Sequence, residues 1–388
     1  MRPRTPVSRF VIHSLLAGLS VIFLTPFAWM LITSLKPNEQ AMALPPRWVP
    51  RAYHAELGGR RVEVTRDYEL RQPGVVAEWM DGGQAGRQVF LPAAQAAAQA
   101  GRLRLRHRTE AGWWRVTEKM APAAAGQRRE PAWDIVPASA VSSELRFHWE
   151  NYPEALERMG DPGAGVAGGA PAASRTPCWQ FFANSLIVCV LGVIGTVLSN
   201  ALAAYGFARL RWRGREAFFL VTVATMMVPF PVLLVPLYGV FAKLGWVGTL
   251  LPLWVPAFFG SAFNIFLMRQ FFRTIPEELS EAVRIDGGSE WTIFWRVILP
   301  LSKPVLATAA LLHFLYAWND FLGPLLYLTR RETYTVALAL QSYQSQNGGV
   351  QWHYLMAASA VATLPIVVMF FCAQRTFIQG IATTGSKN

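Results

Sequence analysis

Six long runs of apolar residues limit what this sequence can fold into. A helix needs about 20 apolar residues to cross a lipid bilayer, and each run reaches that length. The chain is 53% hydrophobic and 15% charged, whereas about a quarter of the residues of a soluble domain are charged. We therefore predict an all-α polytopic membrane protein with six transmembrane helices. The predicted spans are residues 11–34, 181–208, 217–241, 247–268, 304–328 and 354–374.

The first run follows Arg2, Arg4 and Arg9, as the apolar segment of a secretory signal peptide would. It is too long for a signal peptide, and no small-residue cleavage site follows it, so we expect a retained helix. Prolines in the third run predict a kinked helix. Such a helix either lines a pathway or packs against its neighbours.

Basic residues are divided unequally between the two sides of the six spans. With the N-terminus in the cytoplasm, fourteen Lys and Arg residues lie in cytoplasmic segments and four lie in the short outer segments. An excess of Lys and Arg in short loops marks the cytoplasmic side. We predict a multi-pass membrane protein with both termini in the cytoplasm.

Residues 41–178 differ in composition from the rest of the chain. They hold 18 Lys and Arg and 15 Asp and Glu, more than half of all the charged residues. Apolar and charged residues alternate at 61–64 and 102–106, which predicts strands, and the alanine-rich segment 93–100 predicts a short helix. We predict a β-rich or mixed α/β extracytoplasmic domain here.

This interpretation divides the chain into three parts. Residues 1–40 form the cytoplasmic N-terminus and the first helix, residues 41–178 form the inserted outer domain, and residues 179–388 form a five-helix transmembrane core. Two stretches rich in Ala, Gly and Pro, 121–126 and 160–173, predict linkers in the outer domain.

Composition argues against several other classes of protein. The net charge is +12, but no basic face alternates with aromatic residues, so we expect no nucleic-acid partner. The three cysteines form no Cys-x-x-Cys pair, and the spacing of the histidines in the outer domain does not suit a metal. We predict no metal site and no cofactor. The residues concerned are Cys178, Cys189, Cys372, His54, His107 and His148.

The cytoplasmic loop at 274–304 carries the most informative pattern. Thr274 and Glu277 have the spacing of a capping box, which predicts a helix start. One face of that helix is predicted to be apolar and to pack on the transmembrane bundle. The residues of this face are Ile275, Leu279, Ala282 and Val283.

Gly287 and Gly288 are predicted to end this helix, and a second short helix is predicted over about 290–298. The loop is then two amphipathic helices joined by a glycine hinge. Its small, acidic tip stays free to enter the groove of a partner.

This loop resembles the EAA loop of ABC importer permeases. The family pattern is Glu-Ala-Ala, then Asp-Gly-Ala, then Ile/Leu-Leu-Pro. Here it stands as Glu281-Ala282-Val283, Asp286-Gly287-Gly288 and Ile298-Leu299-Pro300, with two alanines replaced. The resemblance implies an ABC importer permease fold and a coupling helix that docks into a cytoplasmic ATPase. It also implies that Glu281, Ala282, Asp286 and Gly287 make that contact.

The chain has no ATP-binding motif of its own. A P-loop needs Gly-Lys followed by Ser or Thr, and none of the five lysines is followed by either residue. We therefore predict a transport subunit and not an enzyme. ATP hydrolysis would come from a separate dimer of ATPase subunits, which would drive the permease by alternating access.

Further segments resemble the carbohydrate-importer permeases of the maltose MalG-like type. They are Asn184-Ser185-Leu186, the run from Ala203 to Arg209, Trp318-Asn319-Asp320, the run from Thr333 to Val336 and the run from Gln374 to Gly380. This resemblance covers residues 6–50 and 147–388, and about 95 inserted residues interrupt it. It implies a location in the bacterial cytoplasmic (inner) membrane, a sugar or oligosaccharide substrate, a second permease subunit and a periplasmic or lipid-anchored binding protein.

Four polar residues in or near the spans are candidates for the substrate path: Asn319, Asp320, His313 and Asn264. Ionisable and amide side chains inside a membrane often mark a transport pathway. Contacts between helices explain them equally well. A non-sugar solute, a secondary transporter and a membrane-anchored enzyme remain open alternatives.

Overall fold

The computed structural model describes residues 6–41, 43, 46–80, 87–98, 102–118, 132–161, 176–343 and 351–385. It divides into two compact units, which are described separately below. The first comprises Met1–Pro153 and Gln351–Ala357, and the second comprises Glu154–Val350 and Ala358–Asn388. The domain boundaries after residues 40 and 178 were predicted from composition, and they remain predictions.

The first unit contains one long apolar helix and all eight described strands. Its helices are α1 (Pro6–Ser34), α2 (Asn38–Ala41) and α3 (Ala93–Ala98). Its strands are β1 (Arg51–Leu57), β2 (Arg60–Glu69), β3 (Gly74–Trp79), β4 (Gln88–Pro92), β5 (Leu103–Thr109), β6 (Trp114–Glu118), β7 (Trp133–Val136) and β8 (Ser142–Leu145).

These strands form two antiparallel sheets, ordered β7-β6-β2-β1-β8 and β4-β3-β5. In β1, Tyr53, Ala55 and Leu57 are buried at alternate positions, as expected for a strand with one face on a core, and in β2 only Val64 is buried. The core of the larger sheet includes Tyr53, Ala55 and Val64. The β-rich domain was therefore predicted correctly from the alternating pattern. The predicted linkers lie outside the described residues, apart from Gly160 and Asp161.

The two ends of the β domain lie side by side. Strands β1 and β8 are antiparallel neighbours, and Arg51 pairs with Leu145. Just outside the pair, the backbone N–H of Arg146 donates to the carbonyl oxygen of Pro50 at 3.4 Å. The chain therefore leaves this domain close to the point where it enters it.

The segment after the β domain holds the end of α1. The Asn151 amide donates to the carbonyl oxygens of Ser34 (2.8 Å) and Lys36 (2.9 Å), and the backbone N–H of His148 donates to the Leu35 carbonyl at 3.1 Å. Residues 34–36 and 148–151 therefore contact each other directly, although the whole β domain separates them in sequence.

The second unit is helical. Its described helices are α5 (Cys178–Ala208), α6 (Arg215–Ala224), α7 (Phe230–Lys243), α8 (Leu251–Trp254), α9 (Ala262–Phe272), α10 (Glu278–Ile285), α11 (Glu290–Ile293), α12 (Leu299–Leu301), α13 (Lys303–Asn319), α14 (Leu322–Tyr327) and α15 (Val336–Ala339). Two further helices, α4 (Asn151–Gly160) and α16 (Trp352–Gly385), have residues in both units. Helix α5 packs against α9 and α13.

Four helical stretches are long and apolar enough to cross a membrane: Phe10–Ser34, Cys178–Ala208, Leu251–Phe272 and Trp352–Gln374. The third joins α8 to α9 through a 3₁₀ segment, Val255–Phe259. Two bent pairs also qualify if each counts as one span. One pair, Arg215–Met227 with Phe230–Lys243, bends by 99° where Pro229 begins the second half, as the prolines predicted. The other, Glu290–Leu301 with Lys303–Asn319, bends by 76°.

The predicted span at 304–328 contains a break that its hydropathy does not reveal. Helix α13 ends at Asn319, Asp320 is extended, and α14 begins at Leu322. The Asp320 carboxylate accepts the backbone N–H of Gly323 at 3.1 Å. An aspartate that bonds nearby backbone competes with the helical ladder, which explains the break.

Candidate functional site

The loop at 274–304 consists of two short helices on either side of a glycine. Helix α10 ends at Ile285, and Gly287 has φ = +78°, a left-handed backbone that residues with a Cβ adopt only at a cost. The Ser289 hydroxyl then accepts the backbone N–H of Thr292 at the start of α11. The helix–glycine–helix arrangement predicted from sequence is confirmed.

The second helix and the segment before α10 form the buried base of the loop. Ile293, Phe294 and Ile298 are at most 2% exposed, and they join Ile275 in a cluster with residues of α5 and α9. The predicted apolar face of α10 is only partly correct. Val283 packs against the cluster, but Leu279 is 43% exposed and Ala282 is also exposed.

The predicted capping box is wrong. Helix α10 has no side-chain cap, and the Thr274 hydroxyl donates instead to the Phe271 carbonyl at 2.7 Å. The Glu277 carboxylate accepts from Arg209 at 2.5 Å and from Arg284 at 3.2 Å. Two charge-assisted hydrogen bonds are more favourable than one neutral capping bond. The Glu277 carboxylate therefore bonds the two arginines and not the backbone at the start of the helix.

The predicted docking residues share one exposed tip. Glu281, Ala282, Asp286 and Gly287 all face solvent. Between them, Ile285 is 85% exposed, which is high for a branched apolar side chain. A small, acidic tip with an exposed isoleucine offers a partner both apolar area and charge.

Five side chains form a polar ring behind this tip. Arg209, at the end of α5, is 8% exposed. It donates to Glu277 and to the carbonyl oxygens of Phe272 and Ile275. Arg209 thus bonds the carbonyl of Phe272, the last residue of α9, which has no partner within its own helix, and the carbonyl of Ile275 in the turn that follows.

The ring continues across the glycine hinge. Arg284, before Gly287, donates to Glu277 and to Glu290, the latter at 3.0 Å. The Tyr205 hydroxyl, one turn before Arg209 on α5, donates to Glu290 and closes the ring. Burial raises the pKa of Glu277, but the hydrogen bonds from Arg209 and Arg284 lower it further, so the net shift is downward.

Sequence reasoning missed most of this ring. Arg209 and Tyr205 stand in a segment that carried the family resemblance, but nothing in the local sequence indicates their partners more than 60 residues away. The local sequence indicated no partner for Arg284 either. Its bonds to Glu277 and Glu290 raise its pKa.

Two of the four candidate path residues lie at helix contacts or helix starts. His313 of α13 shares a 3.0 Å hydrogen bond with Thr196 of α5. The Asn264 amide donates to Ser261, the residue that caps α9, at 2.9 Å. Ser261 is itself held from α5, because its backbone N–H donates to the buried Asn200 at 2.7 Å.

The other two candidates have local partners. The Asn319 amide is exposed and donates to the Leu315 carbonyl of its own helix at 2.8 Å, and Asp320 holds the start of α14. Within the described part of the chain, no hydrogen bond joins two of the four candidates.

Two of the three histidines in the predicted outer domain, His107 and His148, have separate partners. His107 contacts Asp134 at 3.3 Å, and the buried His148 contacts Glu63 at 3.5 Å. Over the described ranges, no three His, Cys, Asp or Glu side chains are grouped as metal ligands would be.

Comparison with known proteins gives the family. The model for "binding-protein-dependent transport system inner membrane component" matches residues 195–383. The arabinooligosaccharides transport system permease protein AraQ of Halalkalibacterium halodurans is 34% identical over 54% of this chain and 74% of its own length. The chain belongs to this permease family. The resemblance inferred from the EAA loop is thereby confirmed, and the chain is a transport subunit of the inner membrane without an ATPase of its own.

Two further similarities bear on the relatives and on the fold. The sn-glycerol-3-phosphate transport system permease protein UgpE of Yersinia pestis is 35% identical over 54% of this chain and 74% of its own. A bacterial ABC transporter involved in the import of the acidic polysaccharide alginate superimposes with a TM-score of 0.58 at 16% identity. The match covers 97% of this chain and 100% of that one. The protein therefore has the ABC importer permease fold, with several apolar helices and a β-rich N-terminal domain.

Proposed function

We propose that this chain is one permease subunit of an ATP-driven importer that moves a sugar or oligosaccharide, delivered by a binding protein, into the cytoplasm by alternating access. The observation that carries the proposal is the loop at 274–304, which has an exposed tip on a buried base in a chain of this permease family. Such a tip suits insertion into a groove of a partner.

The partner that suits this tip is a dimer of ABC ATPase subunits. Glu281, Ala282, Asp286 and Gly287 would contact it, with Ile285 entering the same groove. The exposed apolar side chain supplies area removed from water, and the acidic residues supply orientation. Closure of the ATPase dimer on ATP would then displace the loop.

The proposed membrane arrangement has six spans and both termini in the cytoplasm. Four helical stretches and two bent pairs support the number, and the excess of basic residues in the inner segments supports the orientation. Arg2, Arg4 and Lys387, which contribute to that excess, lie outside the described residues. Residues 41–178 would form the extracytoplasmic domain.

A sugar is the substrate class that the relatives favour. AraQ is named for arabinooligosaccharides, and the segments around Asn184 and Trp318 resemble carbohydrate importers. We assign Asn264, His313, Asn319 and Asp320 to the path. A second permease subunit would complete it, and a periplasmic or lipid-anchored binding protein would supply the sugar.

A non-sugar solute is the second candidate. UgpE, named for sn-glycerol-3-phosphate, is as similar to this chain as AraQ is. The loop that identifies the family therefore does not decide whether the substrate is a neutral sugar or a small phosphorylated polyol.

The test begins with the cognate binding protein, screened by thermal shift against neutral oligosaccharides, acidic sugars and sn-glycerol-3-phosphate. The compound that raises the melting temperature is then used in uptake assays on vesicles that hold both permeases and the ATPase. We expect uptake only with ATP and only with an intact ATPase. Uptake without the ATPase would overturn the proposal, and a response to the phosphate ester alone would select the second candidate.

A further inference from the structure

We infer that the polar ring of Tyr205, Arg209, Glu277, Arg284 and Glu290 makes the docking loop and helix α5 move as one body. These five are then positioning residues that transmit movement, and they are not docking residues. The inference rests on the proposed function, because it assumes that an ATPase moves the loop.

The first half of the loop is held through Arg209. Its guanidinium bonds the carbonyl of Phe272 at the end of α9, the carbonyl of Ile275 in the following turn and the Glu277 carboxylate at the start of α10. The side chain is 5% exposed, and a buried charge of this kind is stable only while its partners stay in place. If helix α10 moved away from α5, the buried charge of Arg209 would therefore lose its partner Glu277.

The second half is held through Tyr205. Its hydroxyl donates to Glu290 in the first turn of α11, and its ring lies 5.2 Å from that of Phe294. Tyr205 and Arg209 are four residues apart, so both lie on one face of α5. A single face of α5 thus holds both helices of the loop.

Arg284 and Glu290 fix the angle between these two helices. Gly287 lies between them with its left-handed backbone, and Arg284 reaches across it to Glu290 while also bonding Glu277. A glycine alone would let the two helices swing independently. The bridge makes them a single unit on which a partner can act.

Helix α5 carries the movement outward. Its 31 residues span about 45 Å at 1.5 Å per residue. Near its other end, the Asn184 amide donates to the carbonyls of Glu332 (2.7 Å) and Tyr334 (3.0 Å), and the Ser185 hydroxyl accepts the backbone N–H of Val336 at 2.9 Å. A displaced loop would therefore shift the segment 332–336 at the far end of α5.

Cys178 makes this testable, because it is the first residue of α5 and half-buried. The complete complex, with Cys372→Ser in this chain, is placed in nanodiscs so that both faces are accessible. The rate at which a membrane-impermeant maleimide labels Cys178 is measured without nucleotide and after trapping with ATP and vanadate. Cys189 is buried, and Cys189→Ser serves to identify any signal from it.

The informative variants are Tyr205→Phe, which removes one hydroxyl and keeps the packing on Phe294, and Glu290→Gln. We expect both to assemble with the ATPase and to hydrolyse ATP. Their nucleotide-dependent change in labelling should weaken, with coupling reduced roughly two- to thirtyfold. Glu290→Asp should restore part of the change. Glu278→Gln, which neutralises an exposed acid outside the ring on the same loop, should behave as the parent.

An unchanged nucleotide response in both ring variants would overturn the inference, and so would the absence of a nucleotide response of Cys178 in the parent. A merely structural ring would instead lower assembly and ATP hydrolysis together with labelling, and this too counts against transmission. If the proposed function itself is wrong, the permease will form no complex with the ATPase, and this will be evident before any labelling is measured.

Discussion

Arg51 and Leu145 are cross-strand partners, so the first and last residues of the β domain lie side by side. Because Arg146 also bonds the carbonyl of Pro50, removing 51–145 leaves two chain ends that a few residues can join. Short flexible connections between neighbouring ends cost little free energy.

We predict that replacing 51–145 by Gly-Gly leaves a permease that inserts into the membrane and binds its ATPase. Membrane fractionation and co-purification measure this. The control removes only 51–69, which takes out β1 and β2. Strand β8 then loses its partner β1, β6 loses its partner β2, and the variant should fail to accumulate. Loss of ATPase binding in the full excision, with normal insertion, would contradict the prediction.

Gly288 and Val283 replace two alanines of the family pattern, and they are in contact. A Cβ on Gly288 would lie 2.5 Å from Val283 Cγ1 and 2.9 Å from its carbonyl oxygen. We expect Gly288→Ala to destabilise the loop by about 1–3 kcal/mol through overpacking. Limited proteolysis of the loop measures the effect.

The double variant Val283→Ala/Gly288→Ala should recover part of the loss, since the clash with Cγ1 is gone and only the carbonyl contact remains. If the double variant is as sensitive to protease as Gly288→Ala, the two replacements are independent and the explanation fails.

Glycine is required at position 287 by the left-handed backbone conformation and not by a lack of space, because no atom lies within 4 Å of a Cβ placed there. A β-branched residue in the left-handed region costs about 1–2 kcal/mol. Gly287→Val should therefore weaken binding of the ATPase about tenfold, as measured by titration of the purified permease. Gly287→Asn should lose less, because asparagine tolerates this region. Equal loss in both variants would point to side-chain size.

The lowered pKa of Glu277 gives the loop a dependence on pH. A carboxylate with a folded-state pKa below its unfolded value adds stability above the unfolded pKa of about 4.3, and this stability is lost as pH falls through the folded value. Protease sensitivity of the loop should rise in that acidic range. Glu277→Gln should be more sensitive at neutral pH and should show a smaller rise on acidification. Identical pH profiles would show that another group controls the loop.

Asp320 has one of two roles: it holds the start of α14, or its charge serves the substrate. If its task is to accept the backbone N–H of Gly323, Asp320→Asn keeps an acceptor oxygen and should retain most uptake, whereas Asp320→Ala should lose it. If the charge serves the substrate, both variants should lose uptake alike. Uptake assays with the compound that the binding protein selects distinguish the two roles.

The sequence predicted the features that depend on local patterns. Apolar runs identified the helices, alternation identified strands such as β2, and Asp286-Gly287 identified the hinge of the loop. Contacts between distant residues were not predictable. Arg209 meets Glu277 only because α5 and α9 pack together, and no spacing encodes that. The break at Asp320 was missed because hydropathy ignores the competition of one carboxylate for backbone N–H groups.

The bend at Ser302 has a mechanical consequence. The stretch Glu290–Leu301 meets Lys303–Asn319 at 76°, and the buried Ser302 at the corner donates its backbone N–H to Ile298 and Leu299. If the proposed ATPase pushes the arm that carries Glu290 along its own axis, the 76° corner turns that push into a mainly sideways displacement of the arm that ends at Asn319.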